Sequence, residues 1–362
     1  MASVDELRRK FERIKQDMET EVKVALIGQP GAGKSSLINN IVGRKIFEVG
    51  VHTDTTVEMH EKKLSEGLTI VDLPGYGTKR FRIEDWLREF RPEQYDLYLF
   101  VFDGKLLDAD ATLFQNLKKW RSEREHPFFI VRNKEDDIYD DEKSLDELKA
   151  EITKDVCGKM QNRSEKVYFT CCRKDRGIKG VEELKQDILG VNISKIKQSK
   201  LMAEFRASSI RDLDAKKSIC LDKLDYYAWA GAAGGLIPIP GVDIAADIPL
   251  IMKMFSSFRE IFGIENNVKT ILYELGTAAA QKAIPVAEKL FETATKEGIK
   301  ILLKQFASKE LKKSVTKYIP IIGWVVSAAA GYNIIKEIGV NYINDCHEVA
   351  KAELEYFTQN QK

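Results

Sequence analysis

Cysteine is scarce in this chain: five among 362 residues, at Cys157, Cys171, Cys172, Cys220 and Cys346. The number is odd and no pair has CxxC spacing, which argues against a disulfide framework or a zinc ribbon and for reduced thiols in a cytosolic chain. Histidine is scarcer still. His52, His60, His126 and His347 are scattered, with no metal-ligand or catalytic-triad spacing. Excess charge is also lacking: 57 Lys and Arg face 56 Asp and Glu, a formal +1 at pH 7. A general nucleic-acid binder shows a basic excess, so no nucleic-acid partner is expected. The opening MASVDELRRKFER has no apolar core, so no secretory signal is expected there. Ala2 stands where N-myristoylation needs glycine. No repeat or low-complexity tract is found.

What is present is globular in composition, 44% hydrophobic and 31% charged. At ~150 residues per domain the length suggests two or three domains. From 21 to 190, short apolar runs (VKVALI, LTIVD, LYLFVF, FFIVR, VYFTC) alternate with stretches of helical periodicity. Such runs suit strands buried on both faces of a parallel sheet, and the alternation predicts an α/β domain. TTVEMHEKKL at 55–64 is expected to add an antiparallel edge strand, making the sheet mixed but mostly parallel. From 191 to 362 strand signals stop, and helical spacing runs between breaks at Gly234-Gly235, Pro238, Pro240-Gly241, Gly263, Pro285, Pro320 and Gly323. Val4, Leu7, Phe11, Ile14 and Met18 make one apolar helical stripe. The expected architecture is therefore an N-terminal helix (1–20), an α/β domain (21–190) and an all-helical half (191–362) that the first helix joins.

The strongest motif is Gly28-Gln-Pro-Gly-Ala-Gly-Lys-Ser35, a GxxxxGK[ST] pattern between the first strand and a helical run. That context defines a P-loop. Gly28, Gly31 and Gly33 let successive N–H groups surround phosphate oxygens, and the following helix adds its positive end. Lys34 supplies a point charge to the β and γ oxygens, and the Ser35 hydroxyl ligates Mg²⁺. The nucleotide-binding set is Gly28, Pro30, Gly31, Ala32, Gly33, Lys34, Ser35 and Ser36. Asp72-Leu-Pro-Gly75 follows the LTIVD strand, where Asp72 can hold Mg²⁺ through water and the Gly75 N–H can reach a γ-phosphate. Switch I must bring a threonine to Mg²⁺ and the γ-phosphate. Its candidates are Thr53, Thr55 and Thr56, with Thr56 preferred and Thr55 next.

Asn133-Lys134-Glu135-Asp136 closes the FFIVR strand. A carboxylate accepts both donors on guanine's edge, whereas adenine's acceptor would leave it unpaired, so Asp136 selects guanine. Asn133 and Lys134 complete that motif. Cys171-Cys172-Arg173 ends the last strand, where backbone N–H groups would meet guanine O6. The vicinal cysteines otherwise read as strand-end packing. The cofactors expected are GTP or GDP with Mg²⁺.

The P-loop continuing as LINNIVG, TTVEMH before DLPGYG, the split helical region and the stretch IPIPGVDIAADIPLIMKMFSSFREIFGI resemble the immunity-related, interferon-inducible GTPases over nearly the whole chain. NKED departs from the TKxD common in that family. The resemblance implies GTP binding, slow hydrolysis that quickens on self-assembly into a homodimer or larger oligomer, and peripheral association of a cytoplasmic protein with intracellular membranes in cell-autonomous immunity. The motifs themselves assign catalytic or switch duties to Lys34, Ser35, Thr56, Asp72 and Gly75, with Ser35, Thr55, Thr56 and Asp72 nearest the metal.

No glutamine follows Gly75, where Tyr76, Gly77 and Thr78 stand, so a Ras-type water-positioning group is missing. Hydrolysis is expected to be completed across a dimer, with a nucleotide-gated binding module and a dynamin-like membrane remodeller as alternatives. The uncharged stretches 226–242 and 318–335 are broken by proline and glycine and are near the ~17-residue lower limit for a span. They are read as core helices, with true spans or interfacial helices as the other options. The acidic residues Glu135, Asp137, Asp140, Asp141 and Glu142 read as a solvated face, with a protein interface near the nucleotide as the alternative.

Overall fold

The computed structural model describes residues 12, 15–17, 19–48, 59–65, 67–73, 86, 88–89, 94–124, 127–161, 166–233, 248–314 and 323–359. The five residues of the N-terminal apolar stripe, all three switch I threonines and Gly75 lie outside them. The chain divides into two compact units, Thr20–Arg206 and a second comprising Met1–Glu19 with Ala207–Lys362.

The first unit is built on six strands: β1 (Val22–Gly28), β2 (His60–Lys63), β3 (Leu68–Asp72), β4 (Leu97–Phe102), β5 (Phe128–Asn133) and β6 (Val167–Thr170). Their order is β2-β3-β1-β4-β5-β6, with every pairing parallel except β2 against β3. The apolar runs are buried along β3, β4 and β5, as double-faced strands require. The HEKK of β2 is exposed throughout, and its lysines blunt a sheet edge. Val24 and Leu26 face one core with helices α1 (Lys34–Val42) and α4 (Val181–Leu189); Ala25 and Ile27 face the other, with α2 (Asp108–Arg124) and α3 (Leu145–Lys159). Successive β1 side chains point to opposite faces, which is why one strand feeds both cores.

Helix α5 (Lys195–Glu204) revises the expected boundary at 190/191. Strand signals have ended by then, but Leu201 and Phe205 are buried in the same core as Val22 and Leu68. The Arg206 N–H donates to Ile41 O at 3.1 Å. The helix belongs to the sheet because its apolar face has a place there.

The second unit is helical among its described residues: α6 (Ile210–Ala233), α7 (Ile248–Phe262), α8 (Val268–Leu275), α9 (Ala278–Thr293), α10 (Lys296–Ser314) and α11 (Gly323–Gln359). Phe255 of α7 stacks on Tyr342 of α11 with centroids 3.8 Å apart. Asp225 accepts from Tyr332 at 2.9 Å and Lys336 at 2.6 Å, joining α6 to α11. Gly263 ends α7 with φ 76°, but Pro285 does not break α9 as the sequence suggested. Buried Ala280, Ala283, Ala287 and Leu290 hold that helix through the proline, so packing outweighs the lost N–H bond. Of the long apolar stretches, Tyr227, Ala228, Ile334 and Ile335 are core residues, while 234–247 and 315–322 lie outside the described residues. No described helix is long and apolar enough to cross a membrane.

Candidate nucleotide-binding site

The parallel strands present their carboxyl ends in a row: Gly28, Asp72, Phe102, Asn133 and Thr170. After β1 the chain goes to β3 on one side and later to β4 on the other, so β1 ends at a topological switch point, where open α/β sheets bind ligands. Gly28 has φ 143°, and a Cβ there would stand 1.8 Å from Val101 O on the neighbouring strand. Gly33, at φ 82°, caps α1 without any side-chain hydrogen bond. The first turn of α1 holds no acidic residue. Its backbone donors therefore await an anion rather than a side chain.

Lys34 is only 5% exposed. Its ammonium reaches Gly28 O and Gln29 O at 3.4 Å each and Asp72 Oδ1 at 3.8 Å. Burial pushes its pKa below the usual lysine range, opposed by the charge of Asp72. A buried cation held by long contacts is under-satisfied, and phosphate oxygens supply what it lacks. Burial likewise pushes the Asp72 carboxyl up, against the pull of Lys34 and of a 3.1 Å hydrogen bond from Ser35 Oγ. Asp72 Oδ1 is buried and accepts no hydrogen bond.

A hydroxyl and a carboxylate with an orphaned oxygen fit Mg²⁺, a hard ion that takes one or two protein oxygens and completes its shell with water and phosphate. Among the described residues no group of three or more His, Cys, Asp or Glu forms a metal site, so no all-protein cage competes with that fit. Ser35 and Asp72 are brought together as expected. Thr53, Thr55, Thr56 and Gly75 cannot be placed, because they lie outside the described residues.

On the base side, Asn133 is 2% exposed and joins three segments. Its Nδ2 donates to Ala32 O at 2.8 Å, and its Oδ1 accepts from Thr170 Oγ1 at 3.0 Å and Cys172 Sγ at 3.5 Å. Lys134 adopts φ 55° and its ammonium pairs with Asp103 at the end of β4. Asp136 has Arg173 beside it at 3.4 Å, and Arg173 is itself held by Asp175 at 2.7 Å. Pro30 is exposed at the loop tip, Ala32 is buried, and Ser36 O accepts from Asn40 at 2.8 Å.

Two expectations change here. The Cys171 N–H is spent on Lys179 O at 3.0 Å, leaving Cys172 and Arg173 as candidates to meet guanine O6. Glu135 is buried and paired with Lys149 at 2.6 Å, so it is not part of a solvated face. Burial pushes the Cys172 thiol up to about 12, which suits a packed hydrogen-bond donor and not a redox or metal ligand.

Sequence reasoning missed Gln29, Asp103 and Asp110. Gln29 occupies an unspecified position of the P-loop pattern, and nothing in the sequence pairs it with a residue 81 positions away.

A mixed sheet in this order, with a glycine-rich loop, buried lysine and serine-aspartate pair at its switch point and NKED at the next strand end, defines the P-loop GTPase class. Within that class, the chain belongs to the interferon-inducible GTPase family, whose model matches residues 6–338. It is similar to interferon-gamma-inducible GTPase 10 of Mus musculus, 30% identical over 68% of this chain and 61% of that protein. It is also similar to interferon-inducible GTPase 5 of Bos taurus, 21% identical over 92% and 74% of the two chains. Among solved structures, a probable GTP-binding protein engB matches with a TM-score of 0.34 and 20% identity, over 47% of this chain and 97% of that one. The chain spans 61% of the length of the mouse relative.

Proposed function

We propose that this protein binds GTP with Mg²⁺ and hydrolyses it to GDP, and that GTP drives it to self-assemble at the surface of intracellular membranes in cell-autonomous immunity. The observation that carries the nucleotide reading is the buried, under-satisfied ammonium of Lys34 at the mouth of an uncapped helix. Lys34 and the N–H groups of the loop bind the β and γ oxygens, while Asp136 accepts the two guanine donors. Asn133 fixes the distance between those subsites by tying the base loop to Ala32. Ser35 and Asp72 would hold Mg²⁺, which neutralises charge developing on the transferred phosphoryl group.

Self-assembly is supported by the family and by the residues after Gly75. Tyr76, Gly77 and Thr78 offer no amide to orient water. A monomer so equipped turns over slowly, and a second copy completes the site.

The test is GTP turnover per molecule against protein concentration, with light scattering on the same samples and excess ATP as competitor. Turnover that rises with concentration together with particle mass, and is untouched by ATP, is expected. Constant turnover and equal mass with GDP and a non-hydrolysable GTP analogue would remove assembly and leave a nucleotide-gated binding module. Competition by ATP would refute guanine selection.

A further inference from the structure

A glycine-rich loop has little conformational preference of its own, so contacts must hold its N–H groups in place before nucleotide arrives. Asn133 grips the far end of the loop at Ala32, and Lys34 reaches back to the Gly28 and Gln29 carbonyls at the near end, at 3.4 Å each. The near end also has a second and shorter hold, through the Gln29 side chain. The Gln29 amide reaches across to the segment between β4 and α2, where its Nε2 donates to Asp110 Oδ2 at 2.5 Å and to Lys105 O at 3.2 Å. Asp110 is 0% exposed, and the same oxygen accepts the Leu107 N–H at 2.6 Å. It lies in the first turn of α2, where the helix dipole favours a carboxylate. The other end of this segment, Asp103, pairs with Lys134 of the base-reading motif. One short segment is thus fastened to the phosphate loop at one end and to the base loop at the other.

We infer that Asp110 is a positioning residue for nucleotide binding: acting through Gln29, it sets the near end of the phosphate loop in its binding conformation. This rests on reading the site as a guanine-nucleotide site. A charge-assisted hydrogen bond is about twice as strong as a neutral one, and both amide hydrogens of Gln29 are engaged. Loss of either partner frees the same loop end, so the two losses should not add.

The experiment is a double-mutant cycle read by titration with a fluorescent ribose-labelled GDP and GTP, with steady-state GTP turnover alongside. Gln29→Leu and Asp110→Ala should each raise Kd for both nucleotides about tenfold (~1.4 kcal/mol), and the double variant should also stand near tenfold. Asp110→Asn keeps a neutral acceptor oxygen and should recover about half of the loss, leaving Kd roughly threefold above wild type, and kcat at saturating GTP should stay within about twofold of wild type as KM rises. Gln29 is half-buried, so Gln29→Leu should keep the wild-type unfolding midpoint and carries the test if Asp110→Ala fails to fold. A double variant near a hundredfold, or a wild-type Kd in Gln29→Leu, overturns the positioning role. A wild-type protein that binds no guanine nucleotide overturns instead the reading on which it rests.

Discussion

The helical unit and the nucleotide site of the α/β unit bury charge for different reasons. In the helical unit, buried Asp212 accepts from Ser208 N and Oγ, both at 2.9 Å, just ahead of α6. Buried Lys216 donates to Ile261 O at 2.6 Å in the last turn of α7. Each satisfies or sits beside a helix end whose polar groups need a partner anyway. In the α/β unit, Lys34 and Asp72 are as deeply buried, yet one is held at 3.4 Å and beyond, and the other keeps an orphaned oxygen. Buried polarity with a complete set of partners is architecture, whereas buried polarity without one marks a place for a ligand. Two glycines, one from each unit, make a parallel contrast. At Gly28 a backbone carbonyl of the adjacent strand occupies the space of a Cβ, whereas at Gly339 of α11 only the Leu224 side chain does.

Gly28→Ala therefore carries the largest expected effect. Its Cβ would lie 1.8 Å from Val101 O in the middle of the sheet, and φ 143° disfavours any side chain. Neither strand can retreat without losing its register, so a loss of ~4 kcal/mol is expected, much of a typical domain's stability. Denaturant unfolding measures it. Wild-type stability would show that the sheet yields at a point where two backbones leave no room.

Lys34→Ala comes next and separates binding from folding. Removing the charge on the phosphates should weaken GDP and GTP at least ~100-fold, about 3 kcal/mol. At a nucleotide concentration a hundred times the wild-type Kd, the wild type gains ~2.7 kcal/mol of stability and the variant ~0.4 kcal/mol. Without nucleotide the variant should melt close to wild type, because it discards an ammonium whose burial is unfavourable, and Asp72, already pushed up, takes a proton more readily. Thermal melts with and without GDP give both numbers. A variant that melts far lower in the absence of nucleotide would make Lys34 architectural and erase the contrast with Lys216.

The contrast also explains what could be read from the sequence. The strands of the α/β unit, the P-loop, Asp72 and NKED are legible because each is a local pattern: an apolar run ending in residues of fixed chemistry. The edge strand β2 was visible on a weaker local cue, a partly alternating stretch at 55–64 set off by Ser65-Glu66-Gly67 from the LTIVD run. Helix α5 was not, because its place is set by where Leu201 and Phe205 find an apolar surface, and that surface is built from Val22 and Leu68, far away in sequence. Gln29 with Asp110, Asp103 with Lys134, and Arg44 with Glu204 at 2.7 Å share that property. Each is an ordinary polar residue until the fold supplies its partner. The use of the Cys171 N–H by Lys179 is equally invisible, since a backbone bridge leaves no mark on residue type.

Gly339→Ala is expected to change least, and it sharpens the comparison most. Gly339 lies inside α11, where alanine is favoured over glycine by ~1 kcal/mol. Against that gain, the new Cβ would approach Leu224 Cδ1 to 2.2 Å and Cδ2 to 2.9 Å, and Leu224 is fully buried. The obstacle is the end of a leucine side chain, which can change rotamer at a cost of order 1 kcal/mol, so gain and loss nearly cancel. The net change should stay within about 1 kcal/mol in denaturant unfolding of the full chain, with nucleotide affinity unaltered. Adding Leu224→Ala should then let the alanine at 339 show its helical gain, since the clash is gone, even as the double variant loses ~2–3 kcal/mol for the emptied core. A loss at Gly339→Ala as large as that at Gly28→Ala would mean that α6 and α11 meet as rigidly as two strands, and that side-chain freedom does not set this contact apart from the sheet.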